Sequence, residues 1–102
     1  MADKITLARD KGPDIRFAGE LLAQATTYKP NAKRWTELQL YRTEAGQYVC
    51  VEIGLTRVPG EKTRRSAEVA KDEAEVREFF EYGWLAKELY RRAGIDAAED
   101  VA

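Results

Sequence analysis

The sequence predicts an α+β domain: an antiparallel β-meander of three to four strands, with one C-terminal helix packed on one face. Three observations predict it. Residues 35–58 alternate apolar and polar side chains in two runs separated by a glycine-bearing gap, the mark of a half-buried hairpin. Residues 72–94 carry apolar side chains at helical spacing between a start and a stop signal. The chain has 102 residues, 44% hydrophobic and 34% charged, which suits one core rather than two.

In the hairpin, Leu38 and Leu40 alternate with polar neighbours, and Val49, Val51, Ile53 and Leu55 do the same. If a single face is buried, Leu40 pairs with Val51 and Leu38 with Ile53, across an even loop of two or four residues containing Gly46. A three-residue loop would set Leu40 opposite Cys50 and mix the faces. The favoured register leaves an outer face of Trp35, Glu37, Gln39, Tyr41, Thr43, Tyr48, Cys50 and Glu52.

Residues 15–27 read as a strand, because Ile15, Phe17, Gly19, Leu21, Ala23 and Ala25 alternate along one side. Gly19 suits a bulge or a close backbone approach. Residues 28–34 form a loop at Pro30-Asn31. Pro59-Gly60 suits a type II turn, and residues 62–70 form a cation-rich edge strand. In the helix, Asp72 is the N-cap with Glu75 as its reciprocal partner, and Gly94 closes the other end. Gly83 costs about 1 kcal/mol in a helix interior, which fits a close contact there. Residues 1–14 read as a flexible arm in which Ile5 and Leu7 could add a short strand, residues 15–95 as the domain, and residues 96–102 as an acidic tail.

Residues 1–65 carry 12 Lys+Arg and 8 Asp+Glu, net +4, and the remainder is net −5. The basic half gathers Lys29, Lys33, Arg34, Arg57, Lys62, Arg64 and Arg65 near Trp35, Tyr41 and Tyr48. Cations beside aromatics on a sheet are the equipment of single-strand nucleic-acid binders, although no RNP-type motif accompanies them.

Histidine is absent and Cys50 is the one cysteine. These counts argue against a histidine base, an activated thiolate and a zinc site. Carboxylates are plentiful on the helix, but none is singled out as an acid/base pair. No catalytic residue, metal or cofactor is expected. One cysteine excludes an internal disulfide, and no apolar run reaches membrane-spanning length, so a cytoplasmic setting without membrane attachment is expected.

The segment Phe17-x-Gly19-x-Leu21-Leu22, followed by the LYRTEAGQYVCVE run ending at Glu52, resembles the sheet portion of the EXLDI proteins, small bacterial proteins. The likeness covers about residues 15–53, and no EXLDI string occurs in this chain. The resemblance implies strands over 15–27 and 36–56 and a bacterial setting. It implies no established activity and transfers no functional residue.

The expected function is a small non-enzymatic regulatory or protein-interaction module, acting through its sheet face or as a homodimer. The candidate binding residues are Trp35, Tyr41, Tyr48, Lys33, Arg34, Arg57, Arg64 and Arg65. Two alternatives stand beside it: weak, salt-dependent nucleic-acid binding through the basic aromatic surface, and inhibition of a host defence complex by a mobile-element protein that occupies its surface.

Overall fold

The computed structural model describes residues 3–98, 100 and 101. Met1 and Ala2 of the expected arm, and Glu99 and Ala102 of the expected tail, lie outside the described residues. Five strands form one antiparallel sheet in chain order: β1 (Asp3–Leu7), β2 (Ile15–Thr26), β3 (Arg34–Thr43), β4 (Tyr48–Thr56) and β5 (Arg64–Ala70). Two helices follow, α1 (Glu73–Phe80) and α2 (Trp84–Ala93). This corrects the expected fold on both counts, since there are five strands rather than three or four and two helices rather than one.

The added strand is β1. Ile5 and Leu7 pair with Phe17 and Ile15, so the segment read as an arm extends the sheet. Residues 15–18 run past the end of β3, because the β2–β3 ladder begins at Gly19 opposite Thr43. Together with β1 they form a two-stranded strap. Beyond β1, the Asp10 N–H donates to the Arg65 carbonyl at 2.9 Å, and the Asp10 carboxylate accepts from the Arg65 N–H at 2.8 Å. Arg9 donates to the Ala67 carbonyl at 3.0 Å and to the Pro13 carbonyl at 2.8 Å. First and fifth strands of a flat sheet would stand about 19 Å apart at ordinary strand spacing. These bonds therefore require the sheet to curl into a half-barrel.

The hairpin register differs from the expected one. Leu40 faces Cys50, Leu38 faces Glu52 and Tyr41 faces Val49. The loop is the three-residue Glu44–Gly46: the Thr43 N–H donates to the Gln47 carbonyl at 2.9 Å, and Gly46 takes φ 86. The expectation failed because it assumed one buried face. Tyr48, Val49, Cys50 and Val51 are all buried in succession, so β4 is covered on both sides and alternation no longer selects a register.

Those two sides carry two cores. On the convex side, Leu38, Leu40, Tyr48 and Cys50 pack with Ala23, Ala25, Val76, Phe80, Ala86, Leu89 and Tyr90 of the flanking elements. On the concave side, Ile15, Val49, Val51 and Ala67 pack together, with Phe17, Tyr41 and Ile53 partly buried against them. A register shift between Leu21 and Ala23 lets β2 serve both. Ile15 and Phe17 point into the concave core and Ala23 and Ala25 into the convex one, so the set read as one face is split by a bulge at Leu22. Gly19 is the close approach: a Cβ there would lie 2.3 Å from the Arg42 carbonyl oxygen.

The helix expected over 72–94 breaks after Phe80. Glu81 adopts φ 62 and ψ −145, and Gly83 becomes the N-cap of α2 without a side-chain cap bond. The break is held by tertiary structure, as the Tyr90 hydroxyl donates to the Glu81 carbonyl at 2.7 Å. It frees α1 to lie over β4 and β5 while α2 lies over β2 and β3. Nothing lies within 4 Å of a Cβ built on Gly83, so the close contact expected there does not occur. The outer ends match expectation. Asp72 caps the Glu75 N–H at 3.0 Å, and Gly94 takes φ 74 while the Ile95 N–H donates to Tyr90. The Glu75 carboxylate reaches back to the Lys71 N–H instead of that of Asp72. Ile95 and Ala97 pack on the convex core, so the start of the tail is docked.

Candidate functional site

Alternate loops of a meander lie at the same end of the sheet. Here residues 27–33, between β2 and β3, meet residues 57–63, between β4 and β5: the Arg57 N–H donates to the Lys33 carbonyl at 2.8 Å. The expected Pro59-Gly60 turn forms, with Gly60 at φ 86 and the Glu61 N–H donating to Val58. Where the loops meet the curled sheet there is a cleft of ≈ 660 Å³. Trp35 and Leu55, opposite one another in the ladder, line it together with Arg34, Glu61, Lys62 and Arg64.

Of the eight candidate residues, Trp35 lines the cleft and the other seven divide into three groups. Arg34 and Arg57 are engaged in holding the loops. Arg34 forms a two-pronged pair with Glu61, at 2.8 and 2.5 Å, and Thr56 donates to the same carboxylate at 2.7 Å. These bonds hold the Glu61 carboxyl down to about 2, with Arg34 the larger cause, and raise the Arg34 guanidinium above its ordinary value. Arg57 donates to the Pro30 carbonyl and the Tyr28 hydroxyl, at 2.7 and 2.8 Å. Its guanidinium lies 5.4 Å from the Tyr28 ring centre and 5.3 Å from that of Trp35, while the two rings meet edge to face.

Lys33 and Arg64 form the second group. Both are exposed, and among the described residues no carboxylate forms an ion pair with them or with Lys29 and Lys62. Arg65 follows Arg64 in β5 and so faces the other side of the sheet, and its backbone is the docking point for Asp10.

Tyr41 and Tyr48 are the third group, and the structure separates them. Tyr41 lies on the concave side, edge-on to Phe17 at 5.5 Å, donating to Gln39 at 3.0 Å. Burial raises its phenol above the ordinary value. Tyr48 pairs with Arg42 rather than Thr43 and is buried in the convex core; Arg42 donates to its hydroxyl at 2.5 Å and covers its ring at 4.5 Å. The expected outer face containing both tyrosines therefore does not exist, a direct result of the one-residue change in register. Cys50 is buried in the same core, and burial, with the carboxylates of Glu68 and Glu75 adding to it, pushes its thiol up to about 12.

Sequence reasoning missed Leu55 and Glu61 as parts of the cleft, and Tyr28 as the partner of Arg57 and Trp35 beside it. The available signal was their position within or beside the two loops that a meander brings together. Chemically the cleft offers the cations Lys62 and Arg64, the Arg34–Glu61 pair and the Asp10 carboxylate beside the apolar surface of Trp35 and Leu55. Among the described residues there is no cluster of three potential metal ligands and no helix long and apolar enough to cross a membrane. The fold and cleft thus define a small α+β domain with a five-stranded antiparallel half-barrel and a basic loop end. No protein-family model, curated protein or solved structure matches this chain.

Proposed function

We propose that this chain is a small non-enzymatic protein-interaction module that receives an acidic segment of a partner protein at its loop end. The observation that carries the reading is a cleft lined by Trp35 and Leu55 and by Lys62 and Arg64, two cations outside the ion pairs among the described residues, with Lys29 and Lys33 on the adjoining β2–β3 loop. Charges placed this way steer encounter and select an oppositely charged surface, and an apolar floor gives such a contact an anchor.

Nucleic-acid binding is the second reading, favoured by the same free cations. It fits less well because Arg57 already occupies the aromatic faces of Tyr28 and Trp35 on which bases would stack. The test is capture from a cell lysate by the wild type and by a Lys33→Glu, Lys62→Glu, Arg64→Glu variant, each with and without nuclease. The proposed function expects a protein partner that survives nuclease, is lost with the triple variant and weakens as salt rises. Loss of all bound material on nuclease treatment would favour the second reading. A partner held equally by the triple variant would exclude both.

A further inference from the structure

β5 is an edge of the sheet, with β4 as its ladder neighbour. Arg65 directs both its N–H and its carbonyl away from β4, to Asp10. Outward groups recur at every second residue of an antiparallel ladder, and the β4–β5 register is unbroken, so Ala67 and Val69 direct theirs the same way. Ala67 is buried and its carbonyl is taken by Arg9. Just past the strand, the Lys71 N–H donates to the Glu75 carboxylate at 2.9 Å. Val69 differs from these neighbours: among the described residues no hydrogen bond reaches its N–H or its carbonyl, and it is 48% exposed. The latch and two arginines blunt the first half of this edge, and an apolar side chain is left at the open half. Beside Val69, between β5 and α1, lies a hollow of ≈ 280 Å³ lined also by Glu68, Glu75, Glu78 and Phe79. Glu68 and Glu75 meet Arg9 and Lys71 only at 3.9 and 3.8 Å, and Glu78 has no ion pair among the described residues.

We infer that a short extended segment of a partner protein, alternating apolar and basic side chains, pairs antiparallel with β5 at Val69. The open N–H and carbonyl of Val69 supply one closely spaced pair of backbone bonds to such a strand. The two sides of the edge select its side chains. Val69 lies opposite Val49 of the concave core, and Glu68 opposite Cys50 of the convex one. Side chains of the added strand on the Val69 side therefore meet apolar surface. Those on the Glu68 side enter the hollow, where a lysine or arginine lays its stem on Phe79 and its charge among the carboxylates. A segment bearing carboxylates would be repelled there, and pairing of β5 with its own copy would set the same carboxylates against themselves. One pair of backbone bonds and one charged contact make a weak, reversible association, on the order of 0.1 mM. This inference does not depend on the loop-end reading, whose ligand has the opposite charge.

The experiment is an NMR titration of the full chain with a short synthetic peptide alternating lysine and valine, beside a peptide with glutamate in place of lysine. The expected result is a shift and slowed exchange of the Val69 amide with the lysine peptide, and no response to the glutamate peptide. Glu68→Lys with Glu78→Lys, changes at exposed positions, is expected to weaken binding by about tenfold or more. N-methylation of the peptide separates backbone pairing from charge. In the antiparallel arrangement a valine exchanges both bonds with Val69, so methylating the valine nitrogens is expected to abolish binding and methylating the lysine nitrogens to leave it. No binding of the lysine peptide at about 1 mM, equal binding of the glutamate peptide, shifts that spare Val69, or binding indifferent to methylated valines would each overturn the inference.

Discussion

The sheet's two faces are closed by unlike devices. On the convex side two amphipathic helices cover the sheet, and Val76, Leu89 and Tyr90 are at most 1% exposed. On the concave side a two-stranded strap lays its Ile15 over the buried Val49, Val51 and Ala67, and much of its fixation is polar: Arg9 to Ala67 and Pro13, Asp10 to Arg65. Aliphatic and aromatic burial is non-directional and additive over area, so the helical cover tolerates small shifts. The strap depends on a few directional bonds from a guanidinium and a carboxylate, so its cover should open as a unit when those bonds go. The comparison teaches that closing a curled sheet on itself takes far less chain than laying helices over it, and leaves the closure resting on fewer interactions.

The largest expected effect strikes the helical side. Phe80 is 7% exposed within the convex core and packs edge-on to Phe79 and Tyr90. Phe80→Ala is expected to cost about 3–5 kcal/mol of global stability, as for other buried aromatic truncations. Urea unfolding measures it, and a loss below about 1 kcal/mol would show that the helices contribute little to the closure of that face.

Gly19→Ala comes next, at the point where the strap leaves β3. The new methyl would meet a backbone carbonyl at 2.3 Å, an atom that cannot rotate away, so about 2–3 kcal/mol of overpacking strain is expected. The two faces should respond differently. Amide exchange is expected to quicken in β1 and residues 15–19 while α1 and α2 keep their protection.

Arg9→Met retains the apolar stem but removes the bonds to Ala67 and Pro13. A loss of about 1.5–2 kcal/mol is expected, within the range for hydrogen bonds to a charged group. Increased binding of a hydrophobic dye would report exposure of Val49, Val51 and Ala67. Unchanged dye binding and exchange would mean that the concave core holds the strap without its latch.

The smallest effect is a pH dependence at the loop end, remote from both covers. Glu61 is held down to about 2, chiefly by the hydrogen bonds from Arg34 and then from Thr56. A depressed carboxyl contributes stability that is whole above its ordinary value of 4.5 and is lost as pH falls toward 2. Wild type is therefore expected to exceed Glu61→Gln in stability at neutral pH, and the gap should close between pH 4.5 and 2. Because the pair is exposed, added salt should shrink the gap too. Urea midpoints of both proteins across that window decide it.

What local chemistry controls was legible in the sequence. Asp72 and Gly94 end their helices as their side chain and left-handed backbone allow, Pro59-Gly60 makes its turn, and Gly19 marks a close approach. The loop-end cations could be grouped because a meander places alternate loops together. The register of Leu40 was not legible. It depends on whether Val49 and Val51 are buried, and that depends on Arg9 reaching Ala67, which no local periodicity encodes. The misplaced tyrosines followed from that single step. The helix break is similar: Gly83 signalled weakness, but the positive φ at Glu81 is supported by the Tyr90 hydroxyl nine residues on.

The latch also bears on how the chain is made. Arg9 and Asp10 bind partners 58 and 55 residues downstream. At a ribosomal pace of about 5–20 residues per second, those partners are synthesised roughly 3–12 s after the latch residues. Through that interval the strap has no dock, and Leu7, Ile15 and Phe17 lack Ala67 to cover them. The nascent chain thus carries an undocked, partly apolar ribbon until β5 is complete.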